Sequence, residues 1–201
     1  MIVELEKLAG IVQTGVVISR IEKKTVGAFT EALVLSLRSI NCGTINMDEL
    51  DKIKVAKPID PSKTTGRGDI VVKMNKPYDV AFIEDDMLGL VLPSFCCKIS
   101  DIKREWVDPY YLTGYLNSQV VKAYLLAANG SSAASLLKIK DIRKLPVALP
   151  TLQEQQAIGK IFRNYCQKQI LLKEMQQHEL QMTQTIIMNA ATEVYRRETN
   201  S

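Results

Sequence analysis

The residue types that could bind a metal ion or act as a catalytic nucleophile are few in this 201-residue chain. Its four cysteines, Cys42, Cys96, Cys97 and Cys166, show no C-x-x-C spacing, and its single histidine is His178. Because a structural zinc site needs about four such ligands at short spacings, we expect no metal. Cys96 and Cys97 are neighbours in an apolar run, so we expect their side chains on opposite faces of a strand.

The acidic triplet Glu84-Asp85-Asp86 lies between two apolar runs. It could hold a metal, but three consecutive acids in this setting are more typical of the tip of a hairpin. The chain has no G-x-G-x-x-G or Walker-type loop, and no paired carboxylates of a catalytic kind. The sequence therefore predicts a protein that is not an enzyme and holds no cofactor. A hydrolase with an unrecognised site is the weaker alternative.

Basic residues are concentrated in residues 51–76. This segment holds seven Lys or Arg against three Asp, an excess of +4 that equals the formal net charge of the whole chain. Pro58, Pro61 and Gly66 indicate that much of the segment is loop. Clustered Lys and Arg are what phosphate contacts with nucleic acid require, since each neutralised phosphate releases counterions. A solvated surface without a partner is the alternative.

The elements that must position these side chains are many short strands and one or two helices, which predicts an α+β domain over residues 1–150. The strand candidates are 16–18, 31–40, 52–55, 69–73, 78–83, 88–92 and 95–99. A helix is predicted to begin at Asp108-Pro109, an acidic cap followed by Pro in the first helical position, and to run to Asn129.

A long helix is predicted over residues 151–201. Thr151 can cap its start, and Glu154 completes a capping box. The segment 154–197 contains no Pro and would span roughly 65 Å as one helix. A helix of this length needs a partner, although folding back on its own domain is the alternative.

The predicted partner-facing seam of this helix follows a 3-4 repeat of apolar residues. Lys168 and Glu179 are its two polar members. The apolar members are Ile158, Ile161, Tyr165, Leu172, Met175, Met182 and Ile186.

Bulk composition fits an ordinary globular protein, with 46% apolar and 24% charged residues. No apolar run approaches the roughly 18 residues that span a membrane. The opening Met1–Lys7 is acidic and mixed, unlike a signal peptide. We therefore expect a cytoplasmic protein with no membrane partner.

Several segments, in their order along the chain, carry a resemblance to one family. They are Leu5-Glu6-Lys7-Leu8-Ala9 with Gly15, Gly68-Asp69-Ile70-Val71-Val72, Tyr115-Leu116-Asn117-Ser118, Gly130-Ser131-Ser132, and Leu145-Pro146-Val147-Ala148-Leu149-Pro150-Thr151-Leu152-Gln153-Glu154-Gln155. The last of these resembles the l-P-v-p-l-P-p-l-x-E-Q junction between a target-recognition domain and a long helix. In this respect the chain resembles the specificity subunits of type I restriction–modification systems.

The resemblance implies a DNA-recognition subunit without catalysis of its own. Family members usually hold two recognition domains and two long helices that pack antiparallel, whereas this sequence shows one set and no internal repeat. A homodimer paired as an antiparallel coiled coil, reading a bipartite inverted-repeat site in double-stranded DNA, is therefore expected. A truncated gene product, or a coiled-coil scaffold with a protein-binding α+β domain, is the alternative.

The resemblance also implies partners that supply the chemistry. These are a DNA methyltransferase subunit, which would use S-adenosylmethionine, and a restriction/translocase subunit, which would use ATP and Mg²⁺. The Gln-rich exposed face of residues 154–197 is the expected surface for the methyltransferase subunit.

DNA contacts are expected from loop side chains that reach base edges or phosphates. The candidates for these contacts are Arg20, Lys23, Lys24, Lys63, Arg67, Lys73 and Asn75, with Ser131 and Ser132 as phosphate donors.

Overall fold

The computed structural model describes residues 1–22, 28–129 and 137–199, which fall into two compact units, Met1–Arg163 and Asn164–Ser201. The strands are β1 (Ile2–Glu4), β2 (Ala9–Thr14), β3 (Thr30–Val34), β4 (Ile40–Asn41), β5 (Thr44–Ile45), β6 (Asp51–Val55), β7 (Ile70–Lys73), β8 (Val80–Phe82), β9 (Cys96–Ile102) and β10 (Pro146–Ala148). The helices are α1 (Leu5–Leu8), α2 (Ile18–Ile21), α3 (Pro109–Leu116), α4 (Gln119–Asn129), α5 (Ile139–Arg143) and α6 (Leu152–Thr199).

The first unit is built on small antiparallel sheets. Its largest sheet has four strands in the order β2-β9-β7-β8, and three pairs of strands, β1-β10, β3-β6 and β4-β5, form separate two-stranded sheets. The predicted α+β class, with small sheets followed by one long C-terminal helix, is confirmed. Pairing of that helix with another one stays a prediction.

The central strands β7 and β9 are buried on both faces. Val72 and Cys97 contribute to a helix-side core that includes Leu8, Leu112 and other apolar residues of α1, α3, α4 and α5. Their neighbours Val71 and Cys96 contribute to a loop-side core. Side chains alternate between the two faces of a strand, and the prediction that Cys96 and Cys97 face opposite ways is confirmed.

A third cluster supports the β3-β6 pair, hereafter the ribbon. Val34, Ile53, Val55 and Val91 form this ribbon core, and Val91 binds the end of β3 through two backbone hydrogen bonds. The cluster therefore attaches the ribbon to the rest of the unit by one face only.

Three predicted elements were wrong. The strand predicted over 31–40 ends at Val34, because the hydroxyls of Ser36 and Ser39 accept hydrogen bonds from each other's backbone N–H groups and form a turn. Residues 88–92 form single bridges rather than a strand. The predicted strand 16–18 is instead a bridge at Val16 and the start of α2 at Ile18.

The helix predicted from Asp108-Pro109 to Asn129 is two helices, α3 and α4. The break falls at Asn117, whose amide group donates to the Val80 oxygen at 2.8 Å and accepts from the Val80 nitrogen at 3.0 Å. The Asn117 side chain therefore bonds to strand β8 much as a neighbouring strand would. The predicted start of α3 is confirmed, since Asp108 accepts from the Tyr111 nitrogen at 2.8 Å.

Helix α6 is continuous from Leu152 to Thr199, as predicted for a single long element. Its first turns, up to Arg163, belong to the first compact unit. Among the described residues, no helix is long and apolar enough to cross a membrane.

Candidate nucleic-acid interface

Exposed cations lie on the ribbon, just after it, and in the adjoining helix α2. Lys52, Lys54 and Lys57 are exposed, as is Arg20 in α2. A single antiparallel bridge between Glu22 and Val55 brings the chain after α2 beside the ribbon. In the described part of the chain, Arg20, Lys52 and Lys57 are in no ion pair. Their charge is therefore available to an anion such as phosphate.

Lys63 supports the neighbouring loop. Its Nζ donates to the Thr14 oxygen at 2.9 Å, and Gln13 Nε2 donates to the Ser62 oxygen at 2.8 Å. These bonds join the end of β2 to a 3₁₀ turn over Pro61–Lys63, which is capped by Asp60. Lys63 is half-buried, so it holds this loop and presents only part of its charge to solvent.

Arg67 projects from a tight turn before β7. Gly68 has φ +79°, a conformation that favours glycine. Buried Asp69 accepts from the Gly66 nitrogen at 2.7 Å and pairs with Lys98 at 3.3 Å. The Arg67 side chain is 77% exposed and pairs with Asp85 at 2.8 Å. Because exposed pairs contribute little, the guanidinium can exchange this partner for a phosphate.

Lys73 lies inside the unit, which weighs against a DNA contact. Its Nζ pairs with Asp79 at 3.0 Å and donates to the Leu37 and Ile40 oxygens, both at 3.2 Å. Lys122 also donates to Asp79, at 2.7 Å. Burial acts to raise the pKa of Asp79, but the hydrogen bonds from the two lysines outweigh it and lower the pKa.

The remaining candidates are Asn75, which is half-buried, and four residues that the structure does not describe. Asn75 follows β7 and is half-buried, and its Oδ1 is buried with no hydrogen-bond partner among the described residues. Lys23, Lys24, Ser131 and Ser132 lie outside the described residues. Arg20 lies in α2, just before the Glu22–Val55 bridge to the ribbon, and Lys63 lies in the loop that bonds to the end of β2.

Sequence reasoning missed three side chains as site candidates. Lys52 and Lys54 stand on the exposed face of β6, alternating with buried Ile53 and Val55. This alternation was the signal that could have separated them from the rest of the basic segment. Phe29 is 47% exposed, with Lys54 Nζ 4.3 Å from its ring centroid. No motif marks an exposed phenylalanine of this kind.

The junction between the first unit's strands and helix α6 is held by Thr151, Glu154 and Gln155. Glu154 accepts hydrogen bonds from the Thr151 nitrogen and hydroxyl at 2.9 and 2.7 Å, which completes the predicted capping box. These bonds lower the pKa of Glu154. Gln155 is 1% exposed; its Oε1 accepts from the Asp108 nitrogen, and its Nε2 donates to the Pro150 oxygen at 3.0 Å.

Two glycines allow the first turns of α6 to approach α3 closely. A β-carbon on Gly114 would come within 3.0 Å of the Phe162 ring. Gly159 lies over the capped start of α3, beside Asp108 and Tyr111. Small residues are therefore needed where the two helices cross.

The acidic triplet has a different role from the predicted hairpin tip. Residues Asp85–Met87 form a 3₁₀ turn, and Glu84 before it accepts a hydrogen bond from the Tyr110 hydroxyl. Burial, followed by this hydrogen bond, raises the pKa of Tyr110. Arg163 approaches Glu84 at 3.5 Å and lies over the Tyr110 ring. Within the described residues, no group of three or more Cys, His, Asp or Glu is placed to hold a metal ion.

The apolar residues of the predicted seam of α6, from Ile158 to Ile186, are all exposed. The exposed fractions are 45% for Ile158, 70% for Ile161, 48% for Tyr165, 41% for Leu172, 59% for Met175, 63% for Met182 and 61% for Ile186. An exposed stripe of apolar side chains, interrupted here by Lys168 and Glu179, is characteristic of a surface that binds a partner.

A comparison with protein families identifies residues 64–182 as a type I restriction modification DNA specificity domain. The chain belongs to this family. The matched residues of the specificity domain begin just before β7 and include the Gln155 junction and most of the α6 seam. The family expected from the sequence is confirmed.

The specificity domain is also similar in fold to solved structures at low sequence identity. It matches the HsdS subunit from Thermoanaerobacter tengcongensis with 16% identity and a TM-score of 0.61, over 87% of this chain and 44% of that chain. It matches a chain from a study titled "Structural basis underlying complex assembly and conformational transition of the type I R-M system" with 16% identity and a TM-score of 0.62, over 96% of this chain and 49% of that chain.

The chain therefore spans about half the length of these two solved chains. A comparison with curated proteins gives no match.

Proposed function

We propose that this protein is the sequence-specific DNA-recognition subunit of a type I restriction–modification enzyme. The observation that carries the proposal is the match of residues 64–182 to the specificity-domain family. The exposed cations around the ribbon support it, because Lys and Arg side chains without an internal partner are suited to phosphate oxygens.

The first unit would hold the DNA-contacting side chains. Arg20, Lys63 and Arg67 remain candidates on the surface of this unit, whereas the Oδ1 atom of Asn75 is buried, so an Asn75 contact would require its side chain to turn outward. Lys73 is the least suited of the candidates, since its buried ammonium group is already bound to Asp79 and to the Leu37 and Ile40 oxygens.

The second unit would join two copies of the chain. In an antiparallel pair with its two-fold axis between Lys173 and Glu174, seam residues equidistant from the axis face each other. Leu172 then lies opposite Met175 of the second copy, and Lys168 lies opposite Glu179. The two polar members of the seam are thus opposite charges that favour this register over a shifted one.

A two-fold dimer of this kind would read an inverted repeat. Each copy would bind one half-site, because protein symmetry is mirrored in the symmetry of the DNA site. The helix pair between the recognition units would set the spacer between the half-sites.

Catalysis would belong to partner subunits in the cytoplasm. A DNA methyltransferase subunit would bring S-adenosylmethionine, and a restriction/translocase subunit would bring ATP and Mg²⁺. The exposed surface of α6 outside the seam, which is rich in Gln, would receive the methyltransferase subunit.

Selection from randomised duplex DNA tests the proposal. The full chain, co-expressed with the methyltransferase subunit of the same type I system, is expected to enrich a bipartite inverted repeat. Enrichment of no sequence, together with binding that depends only on salt, would contradict DNA recognition and favour the coiled-coil scaffold. Lys140→Ala, at an exposed lysine on α5, serves as a control that should leave the selected sequence unchanged.

A further inference from the structure

We propose that the outer face of the ribbon reads base edges in the DNA major groove, an inference that rests on the proposed function. This face consists of Phe29, Glu31, Leu33, Lys52 and Lys54. The specificity-domain match begins at residue 64 and so does not include it.

The register of the ribbon gives it an inner and an outer face. Glu31 lies directly opposite Lys54, and Leu33 lies opposite Lys52. All four are exposed, whereas the intervening Ile53 is buried in the ribbon core. Since directly opposite residues in an antiparallel pair point to the same side, the four side chains form one outward surface.

The dimensions of the ribbon suit a major groove. Two paired strands lie about 4.8 Å apart, and five residues extend about 17 Å, whereas the groove is about 12 Å wide and admits a two-stranded ribbon. The ribbon forms its own two-stranded sheet, and the side chains of its outer face are exposed to solvent.

The mixture of side chains indicates base reading in addition to phosphate binding. Lysine ammonium groups donate to guanine O6 and N7, a glutamate accepts from cytosine N4, and apolar side chains contact the thymine methyl group. A surface that bound only phosphates would gain nothing from exposing Phe29 at 47% and Leu33 at 39%.

The Phe29 ring and Lys54 are also organised relative to each other. Lys54 Nζ lies 4.3 Å from the ring centroid, a cation–π contact that restricts a flexible side chain. The lysine is therefore partly pre-positioned, although it is exposed. Pre-positioning lowers the cost of ordering a side chain on binding.

Phosphate contacts would flank this face. Arg20 and Lys57 are exposed beside the ribbon, which the Glu22–Val55 bridge joins to the chain after α2. Their charges would hold the ribbon at the groove, and the ribbon face would discriminate between bases. Removing a side chain of the ribbon face would then change the sequence preference, whereas removing Arg20 or Lys57 would change the affinity for all sequences.

The experiment compares sequence selection by variants of the full chain in complex with its methyltransferase subunit. Lys52→Ala, Lys54→Gln and Phe29→Ala are expected to lose discrimination of roughly tenfold or more at one or two base positions, each in one half-site and its symmetry mate. Arg20→Ala and Lys57→Ala should weaken all sequences equally and reduce the slope of log affinity against log salt by about one. Lys140→Ala is the matched control.

The outcomes separate the inference from the proposed function. A wild-type complex that selects an inverted repeat, with ribbon variants that select the same repeat at the same discrimination, would overturn the ribbon inference and leave the function standing. A wild-type complex that selects no sequence would overturn both. Thermal unfolding of each variant at the wild-type temperature excludes misfolding as the cause of a lost preference.

Discussion

Gly159 of helix α6 lies directly against Asp108 at the start of helix α3. A β-carbon at residue 159 would come within 2.2 Å of the Asp108 Oδ1 atom and 2.9 Å of the Tyr111 nitrogen. The same Oδ1 accepts the Tyr111 N–H and thereby caps α3. Any side chain at 159 must therefore displace the cap or separate the two helices.

The contact predicts that Gly159→Ala destabilises the protein. Alanine is favoured over glycine by about 1 kcal/mol within a helix, but overpacking against a backbone nitrogen and losing a cap should cost about 3 kcal/mol. We expect a net loss of roughly 2 kcal/mol in the free energy of unfolding of the first unit, measured by urea denaturation. Gln156→Ala, at an exposed position nearby, should have little effect. A more stable Gly159→Ala protein would contradict the close contact.

Gln155 should tolerate substitution poorly because its amide meets three backbone groups. Its Nε2 donates to the Trp106 and Pro150 oxygens, and its Oε1 accepts from Asp108. Gln155→Ala should lower the free energy of unfolding by about 2 kcal/mol by leaving these groups unpaired. Gln155→Glu should cost more, since a carboxylate would face two carbonyl oxygens. Equal stability of Gln155→Glu and Gln156→Glu would show that the buried bonds contribute nothing.

The lowered pKa of Asp79 predicts that the free energy of unfolding depends on pH. Its lowered pKa means that its contribution is present above the unfolded pKa, near 4, and is lost as pH falls through the lower folded pKa. Asp79→Asn should therefore cost about 3 kcal/mol near pH 7, by leaving Lys73 buried without its carboxylate. The difference from wild type should shrink as the pH falls below about 4.

Urea denaturation of both proteins across this pH range measures the effect. The control is Asp86→Asn, an exposed acid that is in no ion pair among the described residues. A difference between wild type and Asp79→Asn that does not change with pH would disprove the role of the carboxylate charge.

Charge reversal tests the antiparallel register of the seam. Lys168→Glu places like charges opposite each other at both ends of the proposed pairing and should weaken the dimer by roughly tenfold, as should Glu179→Lys. The double variant Lys168→Glu, Glu179→Lys should restore the wild-type association. Sedimentation equilibrium over a range of concentrations gives the dissociation constants.

Lys173→Glu, outside the seam, is the matched control for these variants. Double reversal that fails to restore association would rule out the register. A monomeric wild-type chain at every concentration would rule out the dimer itself. The variant Leu172→Asp, Met175→Asp should abolish association whichever register the helices adopt.

Local signals explain which parts of the fold could be predicted from the sequence. The capping box of Thr151 and Glu154, and the Asp108 cap of α3, depend on residues three positions apart. Both were visible as short motifs. The long helix was equally visible, because it lacks internal Pro and has a regular apolar repeat.

Distant partners explain what sequence reasoning could not find. Lys73 was grouped with exposed lysines because its partner Asp79 is known only once β7 and β8 pair. Asn117 breaks a helix through bonds to Val80, 37 residues earlier. The candidate site also depends on contacts between distant residues. The exposed face of the ribbon exists only when β3 and β6 lie side by side, and the alternation in β6 alone does not identify its partner.

The ribbon has a consequence for how such a protein can change over generations. Its inner residues Val34, Ile53 and Val55 hold it to the unit, while its outer residues make no part of any core. Substitutions on the outer face should therefore cost little stability, since surface changes usually fall within about 0.5 kcal/mol. If that face reads DNA, a lineage can acquire a new target through single outward substitutions without first acquiring a new fold.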